Sequence, residues 1–121
     1  MSLQSLYAIS DLKSSEGTFS ASLSFNPGHK IFEGHFPGQP VVPGVALIHI
    51  LKDLCSRIAG TDVKLVKATN IKFLNMIDPR DNVMYSISGA FSQKEDEMIS
   101  LTATIGNEEA IKIKFKGIFY Y

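Results

Sequence analysis

Nothing in this 121-residue sequence approaches the roughly 20 consecutive apolar residues that cross a membrane as a helix. It also lacks a surplus of either charge. Twelve Lys and Arg face twelve Asp and Glu, so no net field draws it to nucleic acid or an anionic membrane surface. A single cysteine, Cys55, allows no internal disulfide, as suits a reducing compartment. No basic segment followed by an apolar one opens the chain, so no secretory signal is expected, and the expected location is cytoplasmic. No repeat, linker or low-complexity tract divides residues 1–121, which are expected to form one domain. No glycine-rich phosphate loop is apparent, and the three histidines lack the paired cysteines or spacing of a metal site. Neither a nucleotide cofactor nor a metal is expected.

What the sequence does have is alternation. In Thr18–Phe25 the residues Phe19, Ala21, Leu23 and Phe25 share one face, and Thr18, Ser20, Ser22 and Ser24 the other. Met98–Ile105 sets Ile99, Leu101, Ala103 and Ile105 against Met98, Ser100, Thr102 and Thr104. Ala110–Phe119 sets Ile111, Ile113, Phe115 and Phe119 against Lys112, Lys114 and Lys116. A period of two marks strands with one buried face. Val63–Phe73 and Asn82–Ser92 follow it less strictly, and Gln4–Ile9 is expected to be a short edge strand. Lys94–Glu97 and Asn107–Glu109 are polar breaks of hairpin length.

The stretch from Asn26 to Gly44 is different, holding four of the five prolines together with Gly28, Gly34, Gly38 and Gly44. It reads as a shaped loop. Val45–Ala59 then places Val45, Leu47, Ile48, Ile50, Leu51, Leu54, Cys55 and Ile58 at helical spacing, with His49, Lys52, Asp53, Ser56 and Arg57 forming a narrow polar stripe. Gly60 is a natural stop. One helix with so wide an apolar face must bury it against the sheet. The expected fold is therefore α+β, a curved antiparallel sheet of five or six strands wrapped around one helix at about 44–59.

Chemistry concentrates in Phe32–Val45, where Gly34, Gly38, Gly44, Pro37, Pro40 and Pro43 fix the backbone around His35. This stiff track runs into a helix start whose first N–H groups, at Gly44 and Val45, have no intrahelical acceptor. Such groups can hold a developing oxyanion, with His35 as a nearby base. On residue chemistry alone, a histidine used only for packing a Pro/Gly turn fits equally well.

Gly34-His35-Phe36-Pro37-Gly38-Gln39-Pro40-Val41-Val42-Pro43-Gly44-Val45 resembles the signature of the 3-hydroxyacyl-acyl-carrier-protein dehydratases, enzymes of fatty-acid and polyene synthesis with the hot-dog fold. Phe73–Asp81 stands in place of that family's Pro-x-Asp turn. The resemblance implies the hot-dog fold over the whole chain. It also implies a carrier-protein or CoA thioester as substrate, and a dimer whose sites are shared between subunits. His35 would then remove the proton alpha to the thioester carbonyl, and the N–H at Gly44 would polarise that carbonyl. Phe36, Pro37, Val42 and Pro43 would line the substrate loop.

One position departs from the pattern. Fourteen residues after His35 the family has a Glu or Asp that handles the departing hydroxyl, and here stands His49. A histidine can deliver that proton only while charged, with a reference pKa of about 6.5. His49 also opens the polar stripe of the helix, so a partly solvated face residue is an alternative account of it. Asp53, one turn on, is either an ordinary helix-surface charge or an auxiliary that hydrogen-bonds His49.

Three readings follow. The first is a dehydratase-like enzyme that eliminates water from a 3-hydroxyacyl thioester. The second is a catalytically impaired acyl-binding subunit that pairs with an active homologue. The third, an acyl thioesterase, would need a carboxylate such as Asp53 or Glu33. His29 reads as a loop residue and Cys55 as core. The row Lys112, Lys114 and Lys116 reads as edge protection or as a surface for an acidic carrier protein.

Overall fold

The structure, a computed structural model, describes residues 6–29, 41–81 and 84–121. Two strands, β1 (Tyr7–Ser15) and β2 (Thr18–Phe25), precede the helix α1 (Gly44–Ala59). Four more follow, β3 (Lys64–Phe73), β4 (Tyr85–Lys94), β5 (Met98–Gly106) and β6 (Ile111–Tyr120). All six form one antiparallel sheet in the order β1-β2-β4-β5-β6-β3. The α+β arrangement of six strands and one helix is the one expected, and the α1 boundaries match the expected 44–59.

The turns follow local chemistry. Glu16 and Gly17 both have positive φ, 52° and 83°, as a two-residue type I′ hairpin turn between β1 and β2 requires. Asn107 Oδ1 accepts hydrogen bonds from the N–H groups of Glu109 and Ala110, both at 3.0 Å, and so closes the β5–β6 turn. The β4–β5 turn falls at Glu95–Glu97, inside the expected break.

Helix α1 begins after Pro43, whose fixed φ of −64° suits an N-cap although it offers no side-chain acceptor. It stops at Gly60, which takes the left-handed conformation (φ 75°) and donates its N–H to the Ser56 carbonyl at 2.9 Å. Ala46, Leu47, Ile50, Leu51, Leu54 and Cys55 are buried on one side, at the spacing that puts them on one stripe. They meet the inward faces of the strands: Phe19, Ala21 and Leu23, then Ile99, Leu101, Ala103 and Ile105, then Ile113, Phe115 and Phe119. Each of the larger side chains contributes about 1.5–3 kcal/mol by leaving water. Cys55 belongs to this core, as expected, and burial pushes its thiol pKa up to about 11.

Three sequence expectations need correction. The edge strand expected at Gln4–Ile9 runs instead from Tyr7 to Ser15. Its second half is polar and carries a bulge between Ser10 and Lys13, with Asp11 at φ 53°, so no period of two announces it. The strand expected at Asn82–Ser92 is set at Tyr85–Lys94. Ile111, expected on the buried face of its strand, is exposed. The weak periodicity of Val63–Phe73 has a physical cause: β3 is an edge strand, almost wholly exposed, with two register shifts against β6.

Candidate active site

The helix start opens onto an apolar groove of about 630 Å³, lined by Val41, Val42, Pro43, Gly44, Leu47 and the segment Phe73–Ile77. Three hydrogen bonds fix its walls. Val42 N–H donates to the Ile77 carbonyl at 3.0 Å, Leu74 N–H to the Lys112 carbonyl at 2.9 Å, and Asn75 Nδ2 to the Ile111 carbonyl at 2.8 Å. Gly44 sits directly against the Phe73 ring: a Cβ there would lie 2.9 Å from Cζ of that ring. The N–H groups of Ala46 and Leu47 both turn back to the Pro43 carbonyl, at 3.0 and 3.3 Å. The preceding two, on Gly44 and Val45, have no acceptor among the described residues and carry the positive end of the helix dipole. The rim is apolar and open, with Val45 75% exposed, Met76 76% and Phe73 55%, and Leu74 exposed as well. A cluster of that kind marks a surface that meets another molecule.

His49 lies elsewhere on the helix. It lines a polar hollow of about 430 Å³ with Tyr7, Lys52, Asp53, Ser56, Arg57 and Asp62. Tyr7 Oη donates to Asp53 Oδ2 at 2.6 Å, and Arg57 Nε donates to Asp53 Oδ1 at 3.0 Å. Arg57 also reaches the Ile9 carbonyl at 3.4 Å, which ties the hollow to β1. The rings of Tyr7 and His49 stand edge to face, their centroids 6.2 Å apart. Burial, the hydrogen bond to Asp53 and the Asp53 charge raise the Tyr7 pKa well above its ordinary value, and Arg57 opposes them.

Among the sequence-predicted site residues, Val42, Pro43 and Gly44 line one groove, with Val45 on its rim. His49 and Asp53 share the other hollow. Within one chain the two cavities have no lining residue in common. The Asp53 carboxylate, read from sequence as either a helix-surface charge or an auxiliary to His49, accepts from Tyr7 and Arg57. His35, Phe36 and Pro37, as well as Glu33, lie outside the described residues. His29 sits in a turn, as expected, but is buried at 7% exposure. The Phe73–Asp81 segment ends in a 3₁₀ turn at Pro79–Asp81, braced by Asp78, which accepts the N–H and guanidinium of Arg80. Those bonds hold the Asp78 carboxyl below the usual carboxylate range. Tyr7 is the residue that sequence reasoning missed. Its place in a strand was foreseen, but nothing local shows which helix residue it meets 46 positions away. Among the described residues, no group of three His, Cys, Asp or Glu side chains is placed to hold a metal.

A six-stranded antiparallel sheet wrapped on one helix, with an apolar groove at the start of that helix, defines the hot-dog class. Residues 11–116 match the family described as ApeI-like, ApeI dehydratase, and the chain belongs to that family. It is 29% identical to the 3-hydroxyacyl-[acyl-carrier-protein] dehydratase FabZ of Lactiplantibacillus plantarum, over 65% of this chain and 58% of that protein. The FabZ of Novosphingobium aromaticivorans is 28% identical, over 74% and 62%. The chain thus spans about three fifths of the length of these two relatives. Among solved structures, it is similar to the dehydratase heterocomplex ApeI:P from Xenorhabdus doucetiae, with a TM-score of 0.73, 16% identity and coverage of 94% and 97%. It is also similar to a hypothetical thioesterase of Streptococcus pneumoniae TIGR4 solved with coenzyme A, with a TM-score of 0.63, 16% identity and coverage of 94% and 84%. These two likenesses speak to the fold, which dehydratases and thioesterases share.

Proposed function

We propose that this chain is a subunit of a dehydratase that removes water from a 3-hydroxyacyl thioester to give the 2-enoyl thioester. The observation that carries the reading is the pair of N–H groups at Gly44 and Val45, unclaimed among the described residues, beside an apolar groove large enough for an acyl chain. A thioester carbonyl held there gains enolate character as its alpha proton leaves, and the two N–H dipoles stabilise the charge that develops on oxygen. His35 takes the alpha proton. The C–O bond at the third carbon then breaks, and the departing hydroxyl leaves as water with a proton from His49. The lack of any shared lining between groove and hollow fits a site completed across a dimer, where His49 of one chain meets the groove of the other. The exposed apolar rim fits the same assembly. The test is formation of 2-enoyl product from a 3-hydroxyacyl thioester by the purified protein. His35→Ala is expected to abolish it, and product that persists in this variant overturns the mechanism.

Two observations favour a second reading, in which the chain is an impaired partner of an active homologue. The acid position holds His49 in place of a carboxylate, and the similar Xenorhabdus doucetiae structure is itself a heterocomplex. Full activity of the isolated chain eliminates this reading. Activity only after mixing with a homologous dehydratase establishes it.

A further inference from the structure

The sequence is neutral overall, but the folded sheet is not. Half of the twelve cationic residues, Lys64, Lys67, Lys72, Lys112, Lys114 and Lys116, fall on the adjacent strands β3 and β6. No Asp or Glu occurs in any strand from β2 to β6. Register places these lysines on one face. Lys72 pairs with Lys114, Asn70 with Lys116, Lys67 with Ile118 and Lys64 with Tyr120, while the alternate residues Ile113, Phe115 and Phe119 point into the core. The lysines therefore cover the outer face of the sheet, away from α1. Lys72 and Lys114 stand directly opposite one another, an arrangement that costs stability. Among the described residues, the two ion pairs are Arg57–Asp53 and Arg80–Asp78, and neither involves this face.

Edge protection accounts for lysines on β3, which is an edge strand, but not for those on β6, which lies between β5 and β3. The patch runs the length of β3, on the order of 25 Å, too long for a single phosphate. It contains lysine and no arginine, so it lacks the planar forks suited to phosphate backbones. Ser88, Thr102 and Thr104 continue it across β4 and β5, and Tyr120, opposite Lys64 at one end, is the single exposed aromatic among the described residues of this face, too few to stack successive bases. Its Lys72 and Lys112 end adjoins the acyl groove, because Phe73 and Leu74 line the groove and Leu74 N–H binds the Lys112 carbonyl. Dimer pairing along the β3 edge would extend the sheet and leave this face open.

We propose that the outer face of β3 and β6 is the docking surface for an acidic carrier protein, whose thioester arm enters the groove at Gly44. The proposal takes its cargo from the dehydratase reading, but the docking itself is measurable without turnover. The test measures binding of an acidic bacterial acyl carrier protein, loaded with a 3-hydroxyacyl chain, by fluorescence anisotropy at two salt concentrations. Binding is expected to weaken severalfold at the higher salt. In the triple variant Lys72→Glu, Lys114→Glu, Lys116→Glu it should weaken about tenfold or more. Turnover of the carrier-bound substrate should fall by the same factor, while turnover of the matching N-acetylcysteamine thioester stays unchanged. A Lys→Gln version of the triple, checked by circular dichroism and thermal midpoint, decides the matter if the charge-reversed protein does not fold. Carrier binding equal to wild type in a folded triple variant overturns the proposal. So does an equal loss on both substrates, or tighter binding to duplex DNA or phosphatidylglycerol vesicles than to the carrier. A chain that dehydrates nothing but binds the carrier through these lysines sinks the dehydratase reading alone.

Discussion

The Tyr7 hydroxyl donates to the Asp53 carboxylate at 2.6 Å, joining the first described strand to the middle of the helix and setting the Tyr7 ring edge against His49. Arg57 holds the same carboxylate from the far side at 3.0 Å. The three residues brace β1 against α1, with the Tyr7 ring packed beside His49.

Removing the brace has a stability signature in pH. The Tyr7 pKa is raised in the folded state, with burial as the largest cause and Asp53 as the next. A group whose folded pKa exceeds its unfolded value stabilises the fold fully below the unfolded pKa, about 10 for tyrosine, and loses that contribution as pH rises above it. Tyr7→Phe is expected to cost about 1 kcal/mol near neutral pH. The difference between the two proteins should shrink above about pH 10. Urea titrations at pH 7 to 11 check this, and a gap that stays constant across the range refutes it.

Gly44 and Phe73 make a second testable pair. Alanine normally favours a helix over glycine by up to about 1 kcal/mol, yet a Cβ at Gly44 meets Phe73 Cζ at 2.9 Å. The ring is exposed and can swing, so Gly44→Ala should fold and push Phe73 into the groove. Turnover of long acyl thioesters should fall more than that of short ones. Phe73→Ala in the same chain should restore the ratio. If the double variant keeps the chain-length bias, the ring is not the obstruction.

The strands that sequence periodicity revealed are those with one buried face. Phe19, Ala21 and Leu23 alternate because each second residue enters the core. Where both faces see water, as along β3, or where a bulge resets the phase, as at Asp11 in β1, the signal fades and boundaries drift. The helix was legible from both its faces, since its polar stripe from His49 to Arg57 is the wall of the polar hollow. Tyr7 was not legible as a site residue, because its partner is set by how β1 lies across α1, which no local spacing encodes. The residues around His35 that carry the family resemblance lie outside the described part of the chain.

The shared core yields a stability prediction. Ile50 and Leu54 are fully buried on α1, one turn apart. Truncating either to alanine leaves a cavity between helix and sheet and should cost about 2–5 kcal/mol. Lys52→Ala, on the opposite stripe, should change stability by less than about 0.5 kcal/mol. Chemical denaturation of the three variants checks the contrast. Similar midpoints for all three would mean that the helix does not rest on the sheet as described.

The histidine at the acid position predicts a pH profile. Under the proposed mechanism His35 must be neutral to take the alpha proton and His49 charged to give one up, so the rate should be bell-shaped. Loss of the His49 proton on the alkaline side should therefore lower the rate, approaching tenfold per pH unit. His49→Gln removes the proton donor and should lower kcat by about a hundredfold or more, and it should also erase the alkaline decline. His49→Glu supplies the carboxyl that the family resemblance implies at this position and should keep or raise activity. Measuring kcat from pH 5.5 to 9 on the wild type and both variants decides the role. A wild-type rate that holds level through pH 9, or a decline that survives in His49→Gln, assigns the proton transfer to another group.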